Sequence, residues 1–346
     1  MTPKHVQDGR FTDGGEIALR HEFRSFVSAF AIVLGSVAAA FAQSDTAGYP
    51  NRVVKIVHQY TAGGGNDYLA RIVANGLTER WGQSVIVEPR PGGGGIIGAD
   101  AVAKAAPDGY TLLLSANPLS ILPAMGKALP FEVPASFVPI TVVATGPFVI
   151  VAYKDAPFRT INELIAYTKA RPGQVAYASV GVGSPHHMLM ELFKSKVGID
   201  IVHVPYKGAA PQMQDIVGGQ ILFGFSSISS TLAQVQAGTV RALVITGDKR
   251  SPLVPDAPTA VEAGLPDFEA NSWYGLLAPA GTPAGIVEKV RADVTKIFSD
   301  PALQQKLIGQ GFVPVTDSTP AAFKAQIERE IPMWRDLVAR QKLKFE

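Results

Sequence analysis

From residue 53 onward, short β-branched runs alternate with stretches whose apolar residues recur every three or four positions. VVKIV at 53–57 has the composition of a buried strand. After it, Leu69, Ile72, Val73, Leu77 and Trp81 fall on one face of a helix that Gly82 stops, which predicts a helix from about Asp67 to Trp81. VIV at 85–87 and a helical stretch ending near Ala105 repeat the alternation. Strand and helix periods taking turns in this way predict an α/β fold.

The rhythm continues through Tyr110–Leu114, a long apolar stretch from Ile140 to Tyr153, and a helix opened by the capping box Thr160-Ile161-Asn162-Glu163. A second set of units follows: VAYAS (175–179), a helix from Pro185 to Val197, DIVHV (200–204), a helix near Ala209–Val217, QILFGF (220–225) and VRALVIT (240–246). A proline-rich region (Pro252, Pro255, Pro258, Pro266) leads to a strand near Ser272–Leu277. Three last helices open at Thr282-Pro283, Asp300-Pro301 and Thr319-Pro320, each pairing a capping side chain with proline at the first helical position.

The stretches 140–153 and 268–277 are too long and apolar for surface loops, so they are expected to be strands passing between two lobes. A chain of 346 residues exceeds what one core organises. The first lobe is then discontinuous, taking 43–146 and 268–346, and the second takes 147–267.

Ahead of this pattern, residues 26–42 form an uncharged apolar run preceded by Arg20 and Arg24 and closed by Ala40-Phe41-Ala42. The run is shorter than the roughly 20 residues a membrane span needs and no second span follows, so it reads as a secretory signal peptide cut near Ala42. Its leader is long, so the start codon could lie downstream of Met1. Four basic and four acidic residues leave with it, and the remainder stays near the whole chain's net charge of +2. Neither a basic stripe nor a charged tail is present, which argues against a nucleic-acid partner. The absence of cysteine excludes disulfides, thiolate metal sites and thiol catalysis.

Three loops leave strand C-terminal ends, where an open α/β sheet places its ligand crevice. In Tyr60-Thr61-Ala62-Gly63-Gly64-Gly65-Asn66-Asp67, glycines allow close backbone approach and the next helix points its first amides into the same space, an anion cradle in which Asp67 can equally be a plain helix cap. Ser179-Val180-Gly181-Val182-Gly183-Ser184-Pro185 repeats this, with Ser184 as N-cap, so that free amides and a hydroxyl converge on a carboxylate. Pro205-Tyr206-Lys207-Gly208 offers a phenol and an ammonium, although such a lysine is as often merely solvated.

Enzyme motifs fail on inspection. Gly93, Gly95 and Gly98 fit the dinucleotide fingerprint, but no acidic residue stands near position 118, and a tight turn is the better reading. His187 and Glu191 share a helix face beside His186, yet lack a third metal ligand, which leaves a capping or supporting role. No Gly-x-Ser-x-Gly elbow occurs. No cofactor or metal is called for.

The segment VHQYTAGGGNDYLARIVANGLTERWGQSVIVEPRPGGGGIIGADAVAKAAPDGYTLLL resembles the opening of the Bug, or tripartite tricarboxylate transporter, substrate-binding family, as do HVPYKGAAPQMQDIVGGQILFGF and SWYGLLAPAGTP, and the likeness covers about residues 49–346. The resemblance implies a periplasmic solute receptor with two α/β lobes joined by two crossing strands, closing on a carboxylate and delivering it to a large and a small membrane subunit. It places ligand contacts on Tyr60, Thr61, Ala62, Gly64, Gly65, Asn66 and Asp67, on Ser115 and Asn117, on Gly181, Gly183, Ser184 and His187, and on Tyr206, Lys207 and Gly208, to which the reading of the second loop adds Ser179. Ser226 stands where many members carry an aspartate, and Ala62 where many carry proline; loss of the carboxylate argues against a ligand amine. His58 and Gln59 replace a more apolar pair. The reading is a monomeric receptor for a di- or aromatic carboxylate that performs no chemistry. A periplasmic enzyme using Ser184 or His187, and a receptor reporting to a sensor, are the alternatives.

Overall fold

The computed structural model describes residues 1–2 and 48–346, apart from 127, 248, 267, 269, 270, 344 and 346. The expected signal peptide lies outside the described residues. Among them, no helix is long and apolar enough to cross a membrane.

Among the described residues, the regular elements fall within 50–346. In chain order they are β1 (Val54–His58), α1 (Gly65–Trp81), β2 (Val85–Pro89), a 3-10 turn (Gly93–Gly95), α2 (Ile96–Ala103), β3 (Thr111–Ala116), α3 (Pro118–Ile121), a second 3-10 turn (Leu122–Ala124) and β4 (Phe137–Tyr153). Next come α4 (Ile161–Lys169), β5 (Ala176–Ser179), α5 (Pro185–Val197), β6 (Val202–Pro205), α6 (Ala209–Val217), β7 (Phe223–Ser227), α7 (Ile228–Gln236) and β8 (Val240–Ile245). The chain closes with β9 (Asn271–Pro279), α8 (Ala284–Phe298), α9 (Pro301–Ile308), β10 (Val313–Pro314) and α10 (Pro320–Gln341).

The strands lie in the order β2-β1-β3-β9-β4-β7-β5-β6, with β8 and β10 also paired to β4. β1, β2 and β3 run parallel, as do β5, β6 and β7, while β4 and β9 are antiparallel to their neighbours. β4 belongs to both lobes: Phe137–Pro147 pairs with β9, and Phe148–Tyr153 pairs with β7 and β8. Beyond that point its side chains alternate, Phe148 and Ile150 entering one core and Val149 and Val151 another. Of the two strands expected to pass between lobes, β4 takes part in both sheets and β9 in the first alone. β9 starts at Asn271, opposite Pro147, where β4 changes sheets.

The first lobe packs Val57, Leu113, Trp273 and Leu277 under Phe323, Ile327 and Ile331 of α10. The second packs Tyr177, Phe193, Phe223 and Phe225, and Trp334 and Leu337 of the same helix join that cluster. Pro332 lies in α10 between the two sets, and Gln341 Nε2 donates to Ser195 Oγ of α5 at 2.7 Å.

Three details depart from the sequence reading. α1 begins at Gly65 rather than Asp67. α7 is an additional helix; ISSTLAQVQ opens with hydroxyl and β-branched residues of weak helix propensity and is held by burial of Ile228, Thr231 and Leu232. Thr282 does not cap α8, because its hydroxyl donates to Pro279 O and Pro283 occupies the cap position. Thr160, Asp300 and Thr319 do cap their helices. Gly92–Gly95 all have positive φ, which only a glycine run accommodates without strain, and they form the tight turn that the sequence favoured over a nucleotide fingerprint.

Candidate functional site

Loop 1 joins β1 to α1. His58, the last residue of β1, lies with Nε2 3.2 Å from Asp67 Oδ1, and Asp67 Oδ2 accepts from Gly63 N at 3.1 Å and Arg71 Nε at 3.0 Å. Burial lowers the His58 pKa by more than the Asp67 carboxylate raises it. For Asp67 burial works upward, but the Arg71 and Gly63 hydrogen bonds and the Arg71 charge outweigh it and hold the carboxyl below its ordinary range. Asp67 is thus the tie that shapes the loop. The cap position belongs to Gly64, which offers no side-chain acceptor, so the first amides of α1 have no partner within the helix. Thr61 and Ala62 are exposed, Gly64 and Gly65 half-buried, and Asn66 is buried with Nδ2 lacking a hydrogen-bond partner. Tyr60 is raised above the usual phenol range by burial, with Tyr274 nearby adding to it.

The end of β3 has its polar groups occupied by the framework. Ser115 Oγ donates to Gln59 Oε1 at 2.5 Å, and Gln59 Nε2 donates to Gly95 O at 2.9 Å. Asn117 Oδ1 accepts from Trp273 N at 3.1 Å while its Nδ2 donates to Asn271 O at 3.2 Å, stitching β3 to β9. His58 and Gln59, without a role from sequence alone, are therefore the internal supports of loop 1 and the β3 end.

Loop 2, between β5 and α5, closes on itself. Ser184 caps α5 by accepting from His187 N at 3.2 Å, as the sequence predicts, and donates its own proton to Gly181 O at 2.7 Å. Gly181 N donates to Ser179 Oγ and Gly183 N to His187 Nδ1, each at 3.1 Å. The hydroxyl and both glycine amides expected to be free are engaged within the loop. With proline at the first helical position and the third amide capped, His186 N is the first-turn amide left without an intrahelical partner. Ser179 Oγ also lies 2.6 Å from His203 Nε2. Burial pushes His187 down to about 4, with the Lys194 charge adding to it. Burial and then His187 push His203 to about 3. Glu191 faces Tyr177 Oη at 2.8 Å and Lys194 Nζ at 2.9 Å, so its role is supporting.

In loop 3, Tyr206 Oη donates to Asp215 Oδ2 at 2.6 Å, and burial together with that carboxylate raises the phenol to about 12. Lys207 is exposed, and Gly208 is the cap position of α6 with no side-chain acceptor. At the end of β7, Ser226 is fully buried and its Oγ has no hydrogen-bond partner. Strand alternation places it on the face of Gly224, which Gln212 and Ile216 of α6 cover. Ser227 Oγ sits 3.1 Å from Ser229 Oγ and 2.7 Å from Ser230 Oγ, and the Tyr274 hydroxyl bonds to Ser272 and Ser229.

These loops meet across the lobes. A Cβ on Gly208 would lie 3.9 Å from Thr61 Oγ1, one on Gly94 4.0 Å from Val182 O, and one on Gly311 3.1 Å from Ser229 N. One on Gly65 would lie 3.0 Å from Tyr274 Oη, and one on Gly181 3.4 Å from Tyr206 O. Beside loop 2 is a cavity of about 390 Å³ lined by Gly93, Gly94, Ile96, Leu122, Met125, Leu129 and Val182. None of the expected contact residues lines it. Tyr274 and Met125 are the positions sequence reasoning passed over, and Gln59 was noticed without a role; the SWYG strand held the signal for Tyr274, and nothing in the pattern marked Met125.

A family model described as the tripartite tricarboxylate transporter family receptor matches residues 69–342. The chain belongs to this family. BugT of Bordetella pertussis is 36% identical over 302 residues, covering 87% of this chain and 92% of the relative. Among solved structures, the R. palustris protein Rpa4515 with adipate is 31% identical at a TM-score of 0.80, covering 86% of this chain and 99% of its own. MatC from Rhodopseudomonas palustris with bound malate is 31% identical at 0.79, covering 84% and 100%. Bug and tripartite tricarboxylate receptors are periplasmic substrate-binding proteins, and the relatives of this chain are binding proteins rather than enzymes. The two-lobed α/β fold is theirs as well.

Proposed function

We propose that this member is an exported, monomeric periplasmic receptor that captures a small amine-free di- or aromatic carboxylate between its lobes. It hands the acid unchanged to the large and small membrane subunits of a tripartite tricarboxylate-type transporter. The lobes are taken as 43–146 with 268–346, and 147–267. The observation that carries the reading is the meeting of loops 1 and 3 at Thr61 and Gly208, where α1 and α6 both open with glycine at the cap and no side-chain acceptor for their first amides. Two uncapped helix starts facing one space favour an anion without a buried cation. Adipate and malate in relatives are ligands of that kind. The Ser184 hydroxyl is bonded to backbone and His187 accepts from backbone, so neither is arranged as a nucleophile with its base.

The selectivity against amines is proposed from Ser226, a fully buried hydroxyl that acts by leaving this position without a carboxylate charge rather than by touching the ligand. Calorimetry with aspartate, glutamate, aliphatic dicarboxylates and aromatic dicarboxylates tests it, together with mass spectrometry of the ligand released from purified protein. Amine-free acids should bind and be recovered unaltered. Selective binding of the amino acids would end the inference from Ser226, and recovery of chemically changed ligand would end the receptor reading.

A further inference from the structure

We infer that the cavity beside loop 2 seats the hydrocarbon part of the ligand, so that the receptor selects acids with an extended chain or a ring over compact, heavily hydroxylated ones; this rests on the carboxylate reading above. The cavity, at about 390 Å³, is at the small end of the range of ligand pockets, about 300–1,000 Å³. Its side-chain walls are Ile96, Leu122, Met125, Leu129 and Val182, and among the described residues no charged one lines it. The remaining wall is the backbone of Gly93 and Gly94, both at positive φ, where absence of side chains keeps the space open.

Its position ties it to the acid site. Val182 lies within loop 2, two residues before the cap of α5. Met125 reaches the same loop, its Cε 2.3 Å from where a Cβ on Gly183 would stand. Loop 2 in turn stands against loop 3, a Cβ on Gly181 lying 3.4 Å from Tyr206 O, so an acid held at the starts of α1 and α6 has this apolar space on its loop 2 side. Methionine is suited to a wall that adapts to chains of different length. Val182 comes from one lobe and the other walls from the other, so a hydrocarbon held there is buried by the approach of the lobes themselves.

Titration calorimetry on the unmodified protein with succinate, adipate, suberate and sebacate reads the effect directly. The dissociation constant should tighten about threefold to fourfold for each methylene that enters the cavity. Met125→Gln and, separately, Leu129→Gln place an amide in the wall and should flatten the series, with melting curves confirming that each variant is folded. A series that is flat in the unmodified protein although short acids bind overturns this inference and leaves the receptor reading in place. A steep series that survives both substitutions also overturns it, because the chain then lies elsewhere. Failure of every acid to bind removes the carboxylate reading itself.

Discussion

The imidazole of His203 lies face to face with that of His187, ring centroids 4.0 Å apart and planes 9° from parallel. Each ring also holds one side of loop 2, His203 at Ser179 Oγ and His187 at Gly183 N. The bond from Gly183 N makes His187 Nδ1 an acceptor, and burial keeps both rings below their ordinary pKa, the Lys194 charge adding to this and Glu191 opposing it only in part at His203.

The first prediction is a pH dependence of stability. His186, His187 and His203 have folded pKa values of about 4, about 4 and about 3, below the ordinary value near 6.5. Below about 6.5 the unfolded chain therefore binds protons that the folded chain refuses. The contribution is fully present above that pH and is lost progressively as pH falls toward 4. The melting temperature should decline between pH 7 and about 5.5, above the range where ordinary carboxylates titrate. A flat profile there would contradict neutral burial of the three rings.

The second concerns Ser184. Ser184→Ala removes the cap of α5 and the bond to Gly181 O, and should cost about 1 kcal/mol of unfolding free energy, within the range of about 0.5–2 for lost caps. Ser184→Thr should recover most of it. Denaturant titration of the three proteins decides whether the hydroxyl holds the loop.

A third substitution tests the tie in loop 1. Asp67→Asn loses the carboxylate that meets Gly63, Arg71 and His58, and should destabilise by about 1.5–3 kcal/mol, the scale of a charged hydrogen bond. It should also increase amide exchange at Gly63. Unchanged exchange would show that the glycine run keeps its shape without Asp67.

The fourth separates backbone strain from crowding. Gly183→Ala introduces a side chain at φ +73° and into Met125. The left-handed conformation alone costs about 1–2 kcal/mol. Combining it with Met125→Ala should restore the crowding part and leave that backbone part, which a double-mutant cycle on unfolding free energies measures.

Much of the scaffold was legible because it is written in local patterns. Ser184 followed by Pro185 marks the start of α5, and the apolar run that became β4 was too long for a loop. The glycine loops were legible for the same reason. Which of their polar atoms are occupied was not, since the partners come from distant segments: Gln59 meets Ser115, and Asn117 meets Asn271 and Trp273. His203 became part of loop 2 through the pairing of β6 with β5, which sets it opposite Tyr177. α7 escaped notice because burial, rather than propensity, holds its hydroxyl-rich sequence in a helix.

The order in which the chain is made gives α10 a further significance. β9 fills the gap between β3 and β4 only after about 270 residues have been synthesised, and α10 then supplies Phe323, Ile327 and Ile331 to one core and Trp334 and Leu337 to the other. Neither core is complete until the last turns of the final helix have arrived. Loss of that helix would therefore open both of these cores at once, while the third cluster, around Val149, Val151, Ile216 and Val254, closes without it.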